Sequence, residues 1–80
     1  MEQEGISPAQ LRAGRALLGW SQARLAEAMD VSSMTIKRAE GSGKPTPSAE
    51  TLAAIRAALE AAGVEFIQEN GGGPGVRLRK

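Results

Sequence analysis

Between Ser21 and Glu40 the chain reads SQARLAEAMDVSSMTIKRAE, two short amphipathic runs, each opened by serine, with Asp30 between them. Leu25, Ala26 and Met29 give the first run an apolar face at helical spacing, and Val31 with Ile36 can staple the start of the second. Ser21 and Ser32 are natural N-caps, and an aspartate tolerates the left-handed backbone that a tight turn demands. The spacing predicts helices over 22–29 and 33–40 joined by a turn, the layout of a helix-turn-helix. Such a motif lays its second helix in the major groove of DNA. That second helix opens on small polar residues and carries Lys37 and Arg38.

The flanking segments supply a frame. Ser7-Pro8 starts a helix running to about Leu18, with Leu11, Ala13 or Gly14, Leu17 and Leu18 as its apolar stripe and Gly19 as its stop. Trp20, just ahead of Ser21, is placed to pack on Leu25. The segment Gly41–Ser48, with two glycines and two prolines, is a loop. A fourth helix begins at Pro47 or Ala49, capped by Thr46 or Ser48, and continues through Leu52, Ile55, Leu59 and Ala62 to Gly63. Beyond Gly63 the period changes to two. Val64–Gln68 and Val76–Arg79 predict a hairpin whose tip is the glycine-rich stretch 70–75. Val64, Phe66, Val76 and Leu78 share one face, and Ile67 points the other way, toward a second copy of the chain.

The expected fold is therefore mainly α. A flexible N-terminus (1–6) precedes a compact four-helix domain (7–63), and the β-hairpin (64–80) is a candidate dimerisation element. Eighty residues make one domain with a thin core. The chain contains neither cysteine nor histidine, so it lacks thiolate and imidazole ligands for a metal and the usual base to activate a nucleophile. No enzyme activity, metal or cofactor is expected. The stretch GGGPG is not followed by the lysine and helix start of a phosphate loop. No apolar run is long enough to span a bilayer and no signal peptide is evident, which makes a cytoplasmic location the expectation. Charge is unevenly spread. Residues 10–44 carry six cations against three acids, whereas the flanks carry four against six. A locally basic helix-turn-helix segment is an electrostatic footprint for nucleic acid, although a mixed solvated surface would look similar.

The residues RALLGWSQARLA (15–26) and VSSMTIKRAE (31–40) resemble the lambda-repressor-like family of Cro/C1-type and Xre-type regulators. An arginine ahead of an L-G-x-[ST]-Q turn, L-A inside helix 2, V-S before helix 3 and I-x-x-x-E within it occur in the family's order over about residues 8–62. Asp30 stands where glycine is usual, and Ala39 where a larger aliphatic is common. The resemblance implies a bundle of four or five helices, here with a hairpin in place of the last. It further implies that Gln22 contacts a phosphate and that Arg15 and Glu40 form a structural ion pair.

With helix 3 in the groove, the residues placed to meet base edges are Ser33, Met34, Thr35, Lys37 and Arg38. Capping remains open for Ser33 and Thr35, and packing for Met34. Ser21, Gln22, Arg24 and Lys44 are candidates for backbone phosphates, with Arg12 a weaker one. These residues lead to sequence-specific binding of double-stranded DNA by a small homodimeric transcriptional regulator, most simply a repressor that occupies promoter DNA. The alternative is a protein-interaction module of antitoxin or anti-activator type built on the same scaffold. No small-molecule effector and no membrane partner are indicated.

Overall fold

In the computed structural model, which describes residues 6–67 and 73–79, the elements follow as α1 (Pro8–Leu17), α2 (Gln22–Met29), α3 (Ser33–Ala39), α4 (Ala49–Ala61), β1 (Val64–Ile67) and β2 (Gly75–Leu78). Each helix starts the same way. Ser7, Ser21, Ser32 and Ser48 lie in extended backbone and accept the N–H three residues on, which removes an orphan donor worth about 1 kcal/mol per cap. At Ser7 the cap is reciprocal, because the Gln10 side chain accepts the Ser7 N–H in return. Helix ends are equally local. Gly19 follows α1 at φ 70°, Gly63 follows α4 at φ 111°, and Asp30 closes α2 in the left-handed region at φ 59°, ψ 45°.

Leu11, Leu25, Ile36, Ile55, Leu59 and Val64 are sealed from solvent and come from all four helices and β1. Ala26, Ala39 and Phe66 complete this core, and Trp20, Met29, Leu52 and Val76 pack on its margin. Since β1 contributes Val64 and Phe66 to the same core as the helices, the hairpin is part of the globule. Gly14 makes this possible. A Cβ there would lie 3.2 Å from Val64 Cγ1 and 3.5 Å from the Phe66 ring, so the hairpin rests directly on the α1 backbone.

The strands are antiparallel, with Val64 opposite Leu78, Glu65 opposite Arg77, Phe66 opposite Val76 and Ile67 opposite Gly75. Gln10 locks this register to α1. Its buried amide donates to the carbonyls of both Ile67 (3.2 Å) and Gly75 (3.1 Å), one on each strand.

Several expectations need correction. Leu17 is not part of the inward stripe but 42 % exposed, because at 100° per residue Leu11, Gly14 and Leu18 take the core side and leave Leu17 on the flank. The first helix ends one residue early, with Leu18 as its cap, and the third ends at Ala39 with Glu40 as its cap. Leu78 lies opposite Val64 on the strand pair but remains 41 % exposed at the far end of β2, while Ile67 is half-buried. Residues 1–5, Gln68 at the end of the expected first strand, residues 69–72 toward the expected tip, and Lys80 lie outside the described residues.

Candidate nucleic-acid interface

The helix α3 packs its Ile36 and Ala39 side into the core, so the opposite arc faces solvent. On that arc lie Ser33, Met34 and Lys37, all exposed, Met34 at 47 %. These three are brought together on one surface. Arg38 sits at its edge, half-buried, with its stem 3.7 Å from the position a Cβ on Gly43 would take. Thr35 is placed differently. It is half-buried, its N–H donates to the Ser32 hydroxyl oxygen, and the two hydroxyls lie 3.2 Å apart at the helix cap. Ser33 is free of that capping role, which Ser32 performs.

The α2 start lies beside this surface. Ser21, Arg24 and Ser33 line one shallow groove together with Ala23, Glu27 and Val31. Ser21 caps the Arg24 N–H, which leaves the first two amide N–H groups of α2, those of Gln22 and Ala23, without an intrahelical acceptor. Together with the positive end of the helix dipole, they form a place for an anion. Arg24 is exposed and stacks its guanidinium 4.6 Å from the centre of the Trp20 ring, which holds the cation at the groove. Lys44 is exposed on the loop after α3, and the structure gives it no part in the groove.

Behind the surface lies a hydrogen-bonded hub. Arg15 meets Glu40 through two bonds, Nε to Oε2 at 2.7 Å and Nη2 to Oε1 at 3.0 Å. Its remaining Nη1 donates to the Trp20 carbonyl at 2.8 Å. Gln22 donates its side-chain amide to Glu40 Oε1 at 3.0 Å, and Arg12 donates to the Glu40 backbone carbonyl, also at 3.0 Å. Residues from α1 and α2 thus converge on the residue that ends α3. Burial pushes the Glu40 carboxyl up, but hydrogen bonds from Arg15 and Gln22, and the charges of Arg15 and Arg12, outweigh it and hold the group below the usual carboxylate range. The hydrogen bond to Glu40 conversely raises Arg15 above its ordinary value, against the pull of burial.

Sequence reasoning placed Gln22 at the DNA backbone but did not find its second partner, Glu40. One amide hydrogen is used internally, so the other hydrogen and the backbone N–H are what Gln22 has left for a phosphate. The grip of Arg12 on the Glu40 carbonyl was likewise missed. Its signal is present in the sequence, as cations near a helix C-terminus satisfy the last carbonyls, but here the cation comes from another helix.

No described helix is long and apolar enough to cross a membrane, and the described residues contain no cluster of acidic side chains fit to hold a metal. No match to a curated protein was found. A family model described as Helix-turn-helix matches residues 11–66, which takes in most of α1, both helices of the motif, α4 and most of β1. With that match over most of its length, and with four capped helices arranged around the motif, the chain belongs to the Cro/C1-type helix-turn-helix family of DNA-binding regulatory domains.

Proposed function

We propose that the chain reads a specific duplex DNA sequence as a homodimeric transcriptional regulator and represses by occupying promoter DNA. The observation that carries this reading is the exposed arc of Ser33, Met34 and Lys37 on a helix whose other side is fixed in the core. In this reading Lys37 and Arg38 donate to guanine O6 and N7, Ser33 bonds to a base edge and Met34 touches a thymine methyl. Thr35 contributes through its hydroxyl once the bond to Ser32 is exchanged for one to a base. Ser21, Gln22, Arg24 and Lys44 hold phosphates, which fixes orientation without reading sequence. The ion pair of Arg15 and Glu40 is structural. It stabilises the angle at which α3 is presented.

Selection of binding sites from random duplexes by the purified protein tests the proposal. The expected result is an enriched site with twofold symmetry, its half-sites about one helical turn, ~34 Å, apart. One weak affinity for every duplex, falling steeply with salt, would overturn it.

A further inference from the structure

The second strand of the hairpin has an open edge. A bond from the Arg79 N–H to the Gly63 carbonyl makes those two residues a hydrogen-bonded pair, and such pairs alternate along an antiparallel ladder. Arg77 and Gly75 therefore bond to β1, whereas Val76 and Leu78 turn their N–H and C=O groups outward. The corresponding outward groups of β1 belong to Val64 and Phe66, both buried. Among the described residues nothing hydrogen-bonds to the outward groups of Val76 and Leu78.

Apolar surface flanks the same edge. Among the described residues three large hydrophobic side chains are exposed, Leu17, Met34 and Leu78. Met34 belongs to the α3 surface, Leu78 is the last residue of β2, and Leu17 ends α1, the helix that packs on the hairpin. Gln10 and Gly14 mark the side of α1 that lies on the hairpin, and the Arg12 and Arg15 flank is taken by Glu40. Ala13 and Leu17, both exposed, lie on the remaining flank of α1.

We propose that a second copy of this chain docks here, β2 against β2 in antiparallel fashion about a twofold axis at Arg77, forming a four-stranded sheet β1-β2-β2-β1. In this register Val76 of each copy pairs with Leu78 of the other, so every outward N–H and C=O of the two residues finds a partner. The same pairing covers Leu78 with an apolar neighbour. A shift toward the turn sets Leu78 opposite Pro74, which has no N–H to give, and a shift the other way leaves Val76 without a residue of the partner's β2, which ends at Leu78, to pair with. The facing Arg77 side chains are each held by Glu65 at 2.9 Å, which offsets their repulsion. Gly75 faces Arg79 and leaves it room. The helices fit as well. Gln10 bridges both strands, which centres α1 over the hairpin, and strands about 4.8 Å apart then set the two α1 axes about 9.6 Å apart, a normal helix packing distance.

This seam gives the dimeric reading above its contact surface and rests on that reading, but its test is made without DNA, so the two can fail separately. The chain has no cysteine, so Arg77→Cys introduces a unique thiol. The central pair is not hydrogen-bonded and brings two Cα atoms to about 4.5 Å, inside the range for a disulfide. Oxidised glutathione, as electron acceptor, is expected to convert Arg77→Cys to a covalent dimer much faster than Arg79→Cys. Light scattering should find the unmodified chain dimeric at micromolar concentration and Leu78→Pro monomeric with unchanged helical circular dichroism, because that N–H takes no part in its own hairpin. A monomeric unmodified chain overturns the proposal, as does a dimer that persists in Leu78→Pro while Arg77→Cys fails to cross-link. If Leu78→Pro unfolds, the Arg77→Cys reaction decides alone. A cross-linked dimer that binds no duplex selectively supports the seam and overturns the DNA reading.

Discussion

Arg15 and Glu40 stand 25 residues apart in the chain and meet through two parallel hydrogen bonds, with the carboxylate only 3 % exposed. The pair joins the last turn of α1 to the end of α3. A buried ion pair adds little over a well-packed apolar substitute, because both charges lose their water, but a stranded partner is costly. Glu40→Ala is therefore expected to lower unfolding free energy by about 3–5 kcal/mol, and the double change Arg15→Met/Glu40→Met by clearly less than the sum of the single changes. Urea denaturation of the unmodified chain, Glu40→Ala, the single variants Arg15→Met and Glu40→Met, and the double variant measures both.

The same carboxylate gives stability an acid limb. Its folded-state pKa lies below that of an unfolded glutamate, about 4.3, so the folded state binds the proton less readily than the unfolded state. The contribution is complete above that value and is lost as pH falls below it, through the folded-state pKa. Urea midpoints measured between pH 6 and pH 2 should fall on the acid side, with a shallower fall in Glu40→Gln, which has no carboxyl to protonate there. An equal slope in the two proteins would show that other acids carry the effect.

Gly14 sets close packing against helix propensity. Alanine there would gain about 1 kcal/mol of intrinsic preference, but its Cβ would press on Val64 Cγ1 at 3.2 Å. Val64 is fully enclosed and stiff about χ1, so it cannot withdraw. Gly14→Ala is expected to lower the thermal midpoint, and Gly14→Val to cost a further 1–3 kcal/mol, roughly the penalty of overpacking. Calorimetry of the two variants checks the order.

Base and phosphate contacts differ in how they fail. Lys37→Ala should relax discrimination at one or two base positions by about 1–3 kcal/mol and leave binding to unrelated duplexes nearly unchanged. Arg24→Ala should weaken all duplexes alike and reduce the slope of log K against log salt by about 1. Titrations of matched and altered sites at several salt concentrations separate the two.

Local chemistry made the helices legible from sequence. Serine caps, the glycine stops at Gly19 and Gly63, and the turn at Asp30 act within three or four residues, so their positions could be read to within a residue or two. That Val64, Phe66, Val76 and Leu78 share one face of the hairpin followed from their alternation, which leaves the pairing itself open by steps of two residues. What sequence did not disclose depends on where separate elements meet. Leu17 fits an apolar stripe as well as Leu18 does, and only the position of the hairpin decides that it stays outside. In the candidate site, the α3 arc could be drawn on a helical wheel. The internal bond of Gln22 and the turning of Thr35 toward its cap could not, since each polar group had more than one partner in reach.

One helix of ten residues holds the hairpin by Gln10 at its start and the end of α3 by Arg12 and Arg15 farther along. It works as a common strut. In the proposed dimer, any tilt it takes when two copies come together is passed through these polar clasps, as well as through the packed core, to the helix proposed to enter the groove. In the proposed dimer the spacing between the two α3 helices would thereby follow from the joint between subunits, and a substitution that resets that joint is expected to change which half-site separations the protein accepts.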